Sequence, residues 1–166
     1  MPNVTEDSIM TRGIASMNRA PRLIRLSNPL SRGLLRLGMP MGPNTLLTVR
    51  GRTSGEPRSA AVAIMEMDGK RWIIGAYGAV QWVQNLRAAG EADVQLHGKA
   101  VHVRATELDR AAATTFFRET MPAYVAHFPR IGRAFAKVLF GSVAPEILSD
   151  PERAAETRPV FELDAA

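Results

Sequence analysis

From Thr45 to Tyr77 the chain reads TLLTVRGRTSGEPRSAAVAIMEMDGKRWIIGAY, and the fold class follows from this stretch. The segments TLLTVRG, SAAVAIMEM and RWIIGAY are apolar runs or alternate with period two, the pattern of strands that bury one or both faces. Asp68–Gly69 separates the second from the third and is a strong two-residue hairpin signal, because such turns need positive φ at their central residues. Further on, ADVQLH and AVHVRATEL read as a fourth and fifth strand around a weaker His97–Gly98 turn, and the closing RPVFELD reads as a sixth. Six strands with few helices predict a mainly β chain with flanking helices, folded as a small and mostly antiparallel barrel, since closure removes exposed edges.

Helical signals fill the gaps. Val80 to Ala89 carries Trp82, Val83 and Leu86 at amphipathic spacing and interrupts the strands. Asp109 is suited to cap a helix over Ala112 to Met121. Arg130 to Phe140 sets Ile131, Ala134, Phe135, Val138 and Leu139 on one face against Arg130, Arg133 and Lys137 on the other. Ahead of the strands, Asp7 or Ser8 caps a helix bearing Met10, Ile14 and Met17, and Leu30, Leu34 and Leu37 repeat that spacing after Asn28–Pro29. Residues 1–43 are thus expected to form a basic amphipathic helical segment, and residues 44–166 the barrel domain.

A chain of 166 residues fits one domain with one core and one principal site. The absence of cysteine excludes disulfides, iron–sulfur clusters, thiolate zinc sites and thiol nucleophiles. No stretch approaches the roughly 18 unbroken apolar residues of a membrane span, and the start lacks an export signal, so a cytoplasmic protein is expected. The formal charge of +5 favours anionic partners. Between Ser8 and Gly55 stand eight arginines and no acid. Two readings of that basic third stand open: its helices pack on the barrel, or they lie peripherally on an anionic membrane surface. Nucleic acid is not an expected partner, because no aromatics interleave with the arginines. Sequence leaves the oligomeric state undetermined.

The familiar catalytic signatures are missing: no phosphate-binding P-loop, no GxGxxG, no GxSxG elbow and no HExxH. His97, His102 and His127 have no ligand spacing, so no metal is expected. What remains is Gly51-Arg52-Thr53-Ser54-Gly55-Glu56-Pro57-Arg58. Its glycines permit close backbone approach, its hydroxyls donate, and two arginines can each fork onto phosphate or carboxylate oxygens. On spacing alone, an anion site and an ordinary solvated hairpin have equal claim.

LLTVRGRTSGEPR, followed by a strand pair and then GAYGAVQWVQNLRAAGEADVQL, resembles the deazaflavin (coenzyme F-420)-dependent nitroreductase family. Its pattern is a GR-x-[ST]-G-x-PR turn ahead of a W-x-x-N-[LA]-[RK] helix. The likeness spans about Thr45 to Leu108, with a weaker echo in PVFEL. It implies a six-stranded split β-barrel of flavin-reductase type and hydride transfer between F-420 and a small electron-poor acceptor such as a quinone, enone or nitro compound. By the same likeness, Arg52, Thr53, Ser54 and Arg58 would hold the coenzyme's phosphate and glutamyl tail. Ser59, Ala60, Ala61, Val62 and Ala63 would line the ring and ribityl chain. Gly75, Ala76, Tyr77 and Gly78 would offer backbone groups, and Gln81, Trp82 and Asn85 would close the other side. Tyr124 resembles a substrate-side tyrosine and is the candidate catalytic residue. The chain departs from the family pattern at Thr53 and at Ala76-Tyr77-Gly78, where many members carry lysines. That departure motivates an alternative, a lipid- or fatty-acid-binding relative that does not use the coenzyme.

Overall fold

The hairpin at Asp68–Gly69 forms as the sequence predicts, with φ of 52° and 77° at its two central residues. It belongs to a computed structural model that describes residues 44–96 and 98–166, without the side chains of Asn44, Ile131, Phe135, Val138 and Leu139. The expected N-terminal helices, the basic segment they carry and the His97 half of the second turn lie outside the described residues.

Six strands close a barrel: β1 (Asn44–Arg50), β2 (Pro57–Met67), β3 (Lys70–Ile74), β4 (Glu91–Leu96), β5 (Lys99–Glu107) and β6 (Val160–Ala165). Their order around it is β1-β2-β3-β6-β5-β4, with every neighbour antiparallel. β2 changes partner along its length. Residues Pro57 to Ala63 pair with β1, whereas Ile64 to Met67 pair with β3, so beside the turn β2 is bonded on one side only and the barrel is split there.

The third strand is shorter than expected, ending at Ile74 rather than Tyr77. Gly75 donates its N–H to the Pro159 carbonyl at 2.8 Å, and the chain then turns away, closed by a Gly78 N–H bond to the Gly75 carbonyl at 2.7 Å. Gly75 sits where a Cβ would meet the Gly78 carbonyl at 3.1 Å, Val83 at 3.1 Å and Pro159 at 3.2 Å. The close approach that ends the strand therefore favours a glycine.

Alternation along β2, β3 and β6 divides the apolar residues between two layers. Val62, Ile64, Ile73, Phe161 and Leu163 point into the barrel with Leu47, Val94 and Val103. Met65, Trp72 and Val160 point outward and are covered by Phe116, Phe117, Met121 and Ile147 from the helices. Complete burial of side chains of this size contributes about 1.5–3 kcal/mol each. Helix α1 (Gln81–Ala89) inserts Val83 and Leu86 into the inner layer.

The outer layer begins at Asp109, whose carboxylate accepts from the Ala112 N–H at 2.8 Å and caps α2 (Arg110–Thr115). A π-helical turn (Phe116–Thr120) leads into α3 (Met121–Ala126); its wider spacing lets consecutive residues Phe116 and Phe117 both face the core. Helix α4 (Arg130–Val143) follows. Most of its expected apolar face lies among the undescribed side chains, and Ala134, also assigned to that face, is exposed. Ala136 is buried, with Phe140 and Val143 partly buried at i+4 and i+7. Helices α5 (Glu146–Ser149) and α6 (Pro151–Thr157) occupy a stretch where no element was expected; α6 is capped by Asp150, which accepts from the Arg153 N–H at 3.0 Å. No helix among the described residues is long and apolar enough to cross a membrane.

Candidate functional site

Between β1 and β2 the chain closes on itself. Gly51 donates to the Glu56 carbonyl and Gly55 to the Gly51 carbonyl, both at 2.8 Å. The two glycines serve different needs. A Cβ on buried Gly51 would lie 2.9 Å from Ser54 Oγ and 3.2 Å from the Glu56 carbonyl oxygen, while Gly55 has φ of 70°. Arg52, Thr53 and Ser54 are consequently presented to solvent. Among the described residues, the backbone N–H groups of Thr53 and Ser54 donate to no protein acceptor.

Arg52 reaches across to α1. Its guanidinium donates to Asn85 Oδ1 at 2.9 Å and to Gln81 Oε1 at 3.0 Å, and its backbone N–H also donates to Asn85 Oδ1, at 3.3 Å. Asn85 is buried, which fixes the acceptor. Both partners are neutral carboxamides, and no carboxylate pairs with Arg52 among the described residues. Its positive charge is therefore oriented without being cancelled. Arg58 stands at the start of β2 with 60% of its side chain exposed, 3.2 Å from Glu56 and within 3.5 Å of Ser54 Oγ. An exposed pair of that kind holds its partners weakly.

Of the five β2 residues expected beside the ring, Ser59, Ala61 and Ala63 face outward, and Ser59 shares a 2.9 Å hydrogen bond with Thr48. Ala60 and Val62 face the barrel interior, so their side chains cannot line a surface groove; a strand delivers only alternate residues to one face. After β3 comes the turn Gly75–Val80, held by Ala76 N–H to Ile74, Gly78 N–H to Gly75 and Val80 N–H to Gly78. Tyr77 on this turn is half-buried, and burial pushes its phenol above the usual value. Trp82 packs on the inner cluster with its ring 6.3 Å from that of Phe161. Tyr124 belongs to the outer layer, edge-on to Phe128 at 4.9 Å, and borders the same cluster as Ala76. Burial raises its phenol too. Both tyrosines are thus neutral hydrogen-bond donors at neutral pH.

The structure brings Arg52, Gln81 and Asn85 into one bonded unit, sets Arg58 on the same turn and packs a partly buried Trp82 on the inner cluster, and among the described residues Tyr124 has no bond to the turn. It also adds two residues that no motif pointed to. The Arg158 Nη1 donates to the Ala76 carbonyl at 2.7 Å, and its Nε to Glu146 Oε1 at 2.6 Å. Burial pushes the Glu146 carboxyl up, yet its own backbone N–H, Arg158 and Thr157 together hold it below the usual carboxylate value. No sequence signal marks this pair, because neither charge stands in a turn or on a periodic face. Among the described residues, no group of three or more His, Asp or Glu side chains could hold a metal.

A family model described as F-420H(2)-dependent quinone reductase matches residues 31–134, more than half of the chain. No curated protein matches it in sequence. Among solved structures, a candidate 5-nitroimidazole antibiotic resistance protein of Bacteroides thetaiotaomicron VPI-5482 is similar in fold: 6% identity, 81% of this chain and 79% of that one covered, TM-score 0.50. An F-420-H2-dependent reductase, FDR-A, is 21% identical over 74% of this chain and 94% of its own, with a TM-score of 0.41. General stress protein 26 of Bacillus anthracis str. Sterne is 10% identical over 81% and 88%, with a TM-score of 0.48.

Proposed function

Because the chain belongs to the F-420H(2)-dependent quinone reductase family, its cofactor is coenzyme F-420 and its class oxidoreductase, and we propose that it transfers a hydride between that coenzyme and an electron-poor acceptor. A quinone is the first choice, with enones and nitro compounds as further acceptors. The family does not favour a lipid-binding relative that dispenses with the coenzyme.

The observation that carries this reading is the Arg52 clamp. A cation fixed by neutral acceptors, beside two free backbone N–H groups and an exposed Arg58, suits a polyanionic phosphate and glutamyl tail. The residues present therefore fit the coenzyme. In this reading Arg52, Thr53, Ser54 and Arg58 hold the tail, with Gln81 and Asn85 orienting Arg52. Ser59, Ala61 and Ala63 form the floor beside the ring, and Gly75, Ala76, Tyr77 and Gly78 its wall. Bound F-420 supplies the hydride chemistry. The chain supplies orientation and exclusion of water, and Tyr124 keeps a proton on its phenol oxygen to donate a hydrogen bond to the acceptor's oxygen. The split beside β2 is the opening through which ring and acceptor meet.

Fluorescence titration with F-420, compared with flavin mononucleotide, tests the assignment. Saturable and preferential binding of F-420 is expected. Charge-assisted bonds contribute about 1.5–3 kcal/mol each, so Arg58→Ala should weaken binding by about tenfold or more. Unchanged affinity in that variant refutes the placement of the tail.

A further inference from the structure

The turn Gly75–Val80 is fastened to the barrel from a distant part of the chain. Beyond Gly75 its amide bonds are local: those of Ala76, Gly78 and Val80 reach only two or three residues back. Two further bonds come from consecutive residues ahead of β6: the Pro159 carbonyl accepts from the Gly75 N–H at 2.8 Å, and Arg158 Nη1 donates to the Ala76 carbonyl at 2.7 Å. Arg158 is in turn held by Glu146, which accepts from Nε at 2.6 Å and lies 2.5 Å from Nη2. The two side chains are only 11% and 12% exposed.

A buried ion pair is a poor source of stability, since desolvation offsets most of its attraction and well-packed apolar residues often serve as well. What an arginine adds is a rigid fork of donors in fixed directions. Here one arm of the fork is occupied by a carboxylate and another by a backbone oxygen that no strand pairs. We propose that Arg158, oriented by Glu146, is a positioning residue that sets the conformation of Ala76-Tyr77-Gly78 and so the shape of the wall beside the coenzyme's ring. The proposal rests on the reading of that segment as the coenzyme wall. It assigns a role to a pair outside both sequence motifs, and it explains how a turn whose amide bonds beyond Gly75 are all short-range can stand as a defined surface.

Amide hydrogen exchange of the protein without coenzyme and F-420 fluorescence titration, both on the full chain, test it. Two variants are needed. Arg158→Lys keeps the charge opposite Glu146 but loses the fork, and Glu146→Leu with Arg158→Met removes both buried charges together so that neither is stranded. In each, the Gly78 and Val80 amides should exchange about tenfold faster, in line with loss of one charge-assisted bond, while the Ile73 and Val94 amides of the barrel stay protected. The F-420 dissociation constant should rise by a similar factor. Unchanged exchange at Gly78 and Val80 overturns the fastening. Faster exchange with unchanged F-420 affinity overturns the positioning role. Failure of the wild-type chain to bind F-420 overturns the coenzyme reading and the positioning role with it, and is told apart because the exchange data still decide the fastening.

Discussion

Arg52 is held in place by neutral partners without being neutralised. Asn85 accepts from both its backbone and its guanidinium, and offers only a carboxamide dipole in return. Asn85→Asp should therefore separate folding from binding. The carboxylate would still accept both bonds and keep the turn docked on α1, but it would cancel the Arg52 charge. F-420 affinity is expected to fall by about tenfold, with the urea midpoint nearly unchanged; equal affinity would show that the Arg52 charge plays no part. His102 offers a second measurement at this scale. Exposed on β5, it bonds to Asp93 at 2.8 Å and lies 3.5 Å from Glu91. The Asp93 bond, opposed by slight desolvation and helped by Glu91, raises its pKa above the usual histidine value. An NMR titration should find the midpoint raised, and Asp93→Asn should lower it. The linked stabilisation is fully present below the unfolded-state pKa and is lost as pH rises through the folded one. That carboxylates stand beside it follows from the β4–β5 register, which sets Asp93 opposite His102.

Among the elements, the short turn after β3 is the one that a sequence reading is most liable to miss. RWIIGAY alternates as a strand would, yet pairing stops at Ile74 because the next N–H is bonded to Pro159 and a glycine lets three neighbours close in. Gly75→Ala is expected to cost about 1–3 kcal/mol, since two of those neighbours, the Gly78 carbonyl and the Pro159 ring, belong to or abut rigid backbone. Urea denaturation with an unshifted midpoint would refute that account. β2 teaches a related lesson. The run Ser59 to Ala63 is a continuous stretch in sequence but two faces in space, so only Ser59, Ala61 and Ala63 can border a ligand outside the barrel. By contrast the Asp109 cap and the Asp68–Gly69 hairpin were legible in full, because each depends on a few adjacent residues.

For the whole molecule, the barrel and its helices supply two layers of core and leave the redox chemistry to the coenzyme. Any reductase activity is accordingly expected to survive EDTA, because the described residues hold no metal-ligand group and the chain has no cysteine. Loss of activity in chelator, restored by zinc or iron, would overturn this.

By itself the sequence determined what depends on local periodicity and local stereochemistry: six strands, the hairpin at Asp68–Gly69, the cap at Asp109 and the turn between the first two strands. It could not determine which strands become neighbours, that β6 lies between β3 and β5, or that β4 closes on β1. Nor could it join Arg52 to Asn85, 33 residues apart, or Arg158 to Ala76, 82 residues apart. The physical reason is that side-chain periodicity records how deeply each residue is buried and toward which face, whereas the partner it meets there depends on how distant segments pack. Burial is written along the chain. The bonds from Arg52 to Asn85 and from Arg158 to Ala76 arise only when the barrel closes and brings those distant segments together.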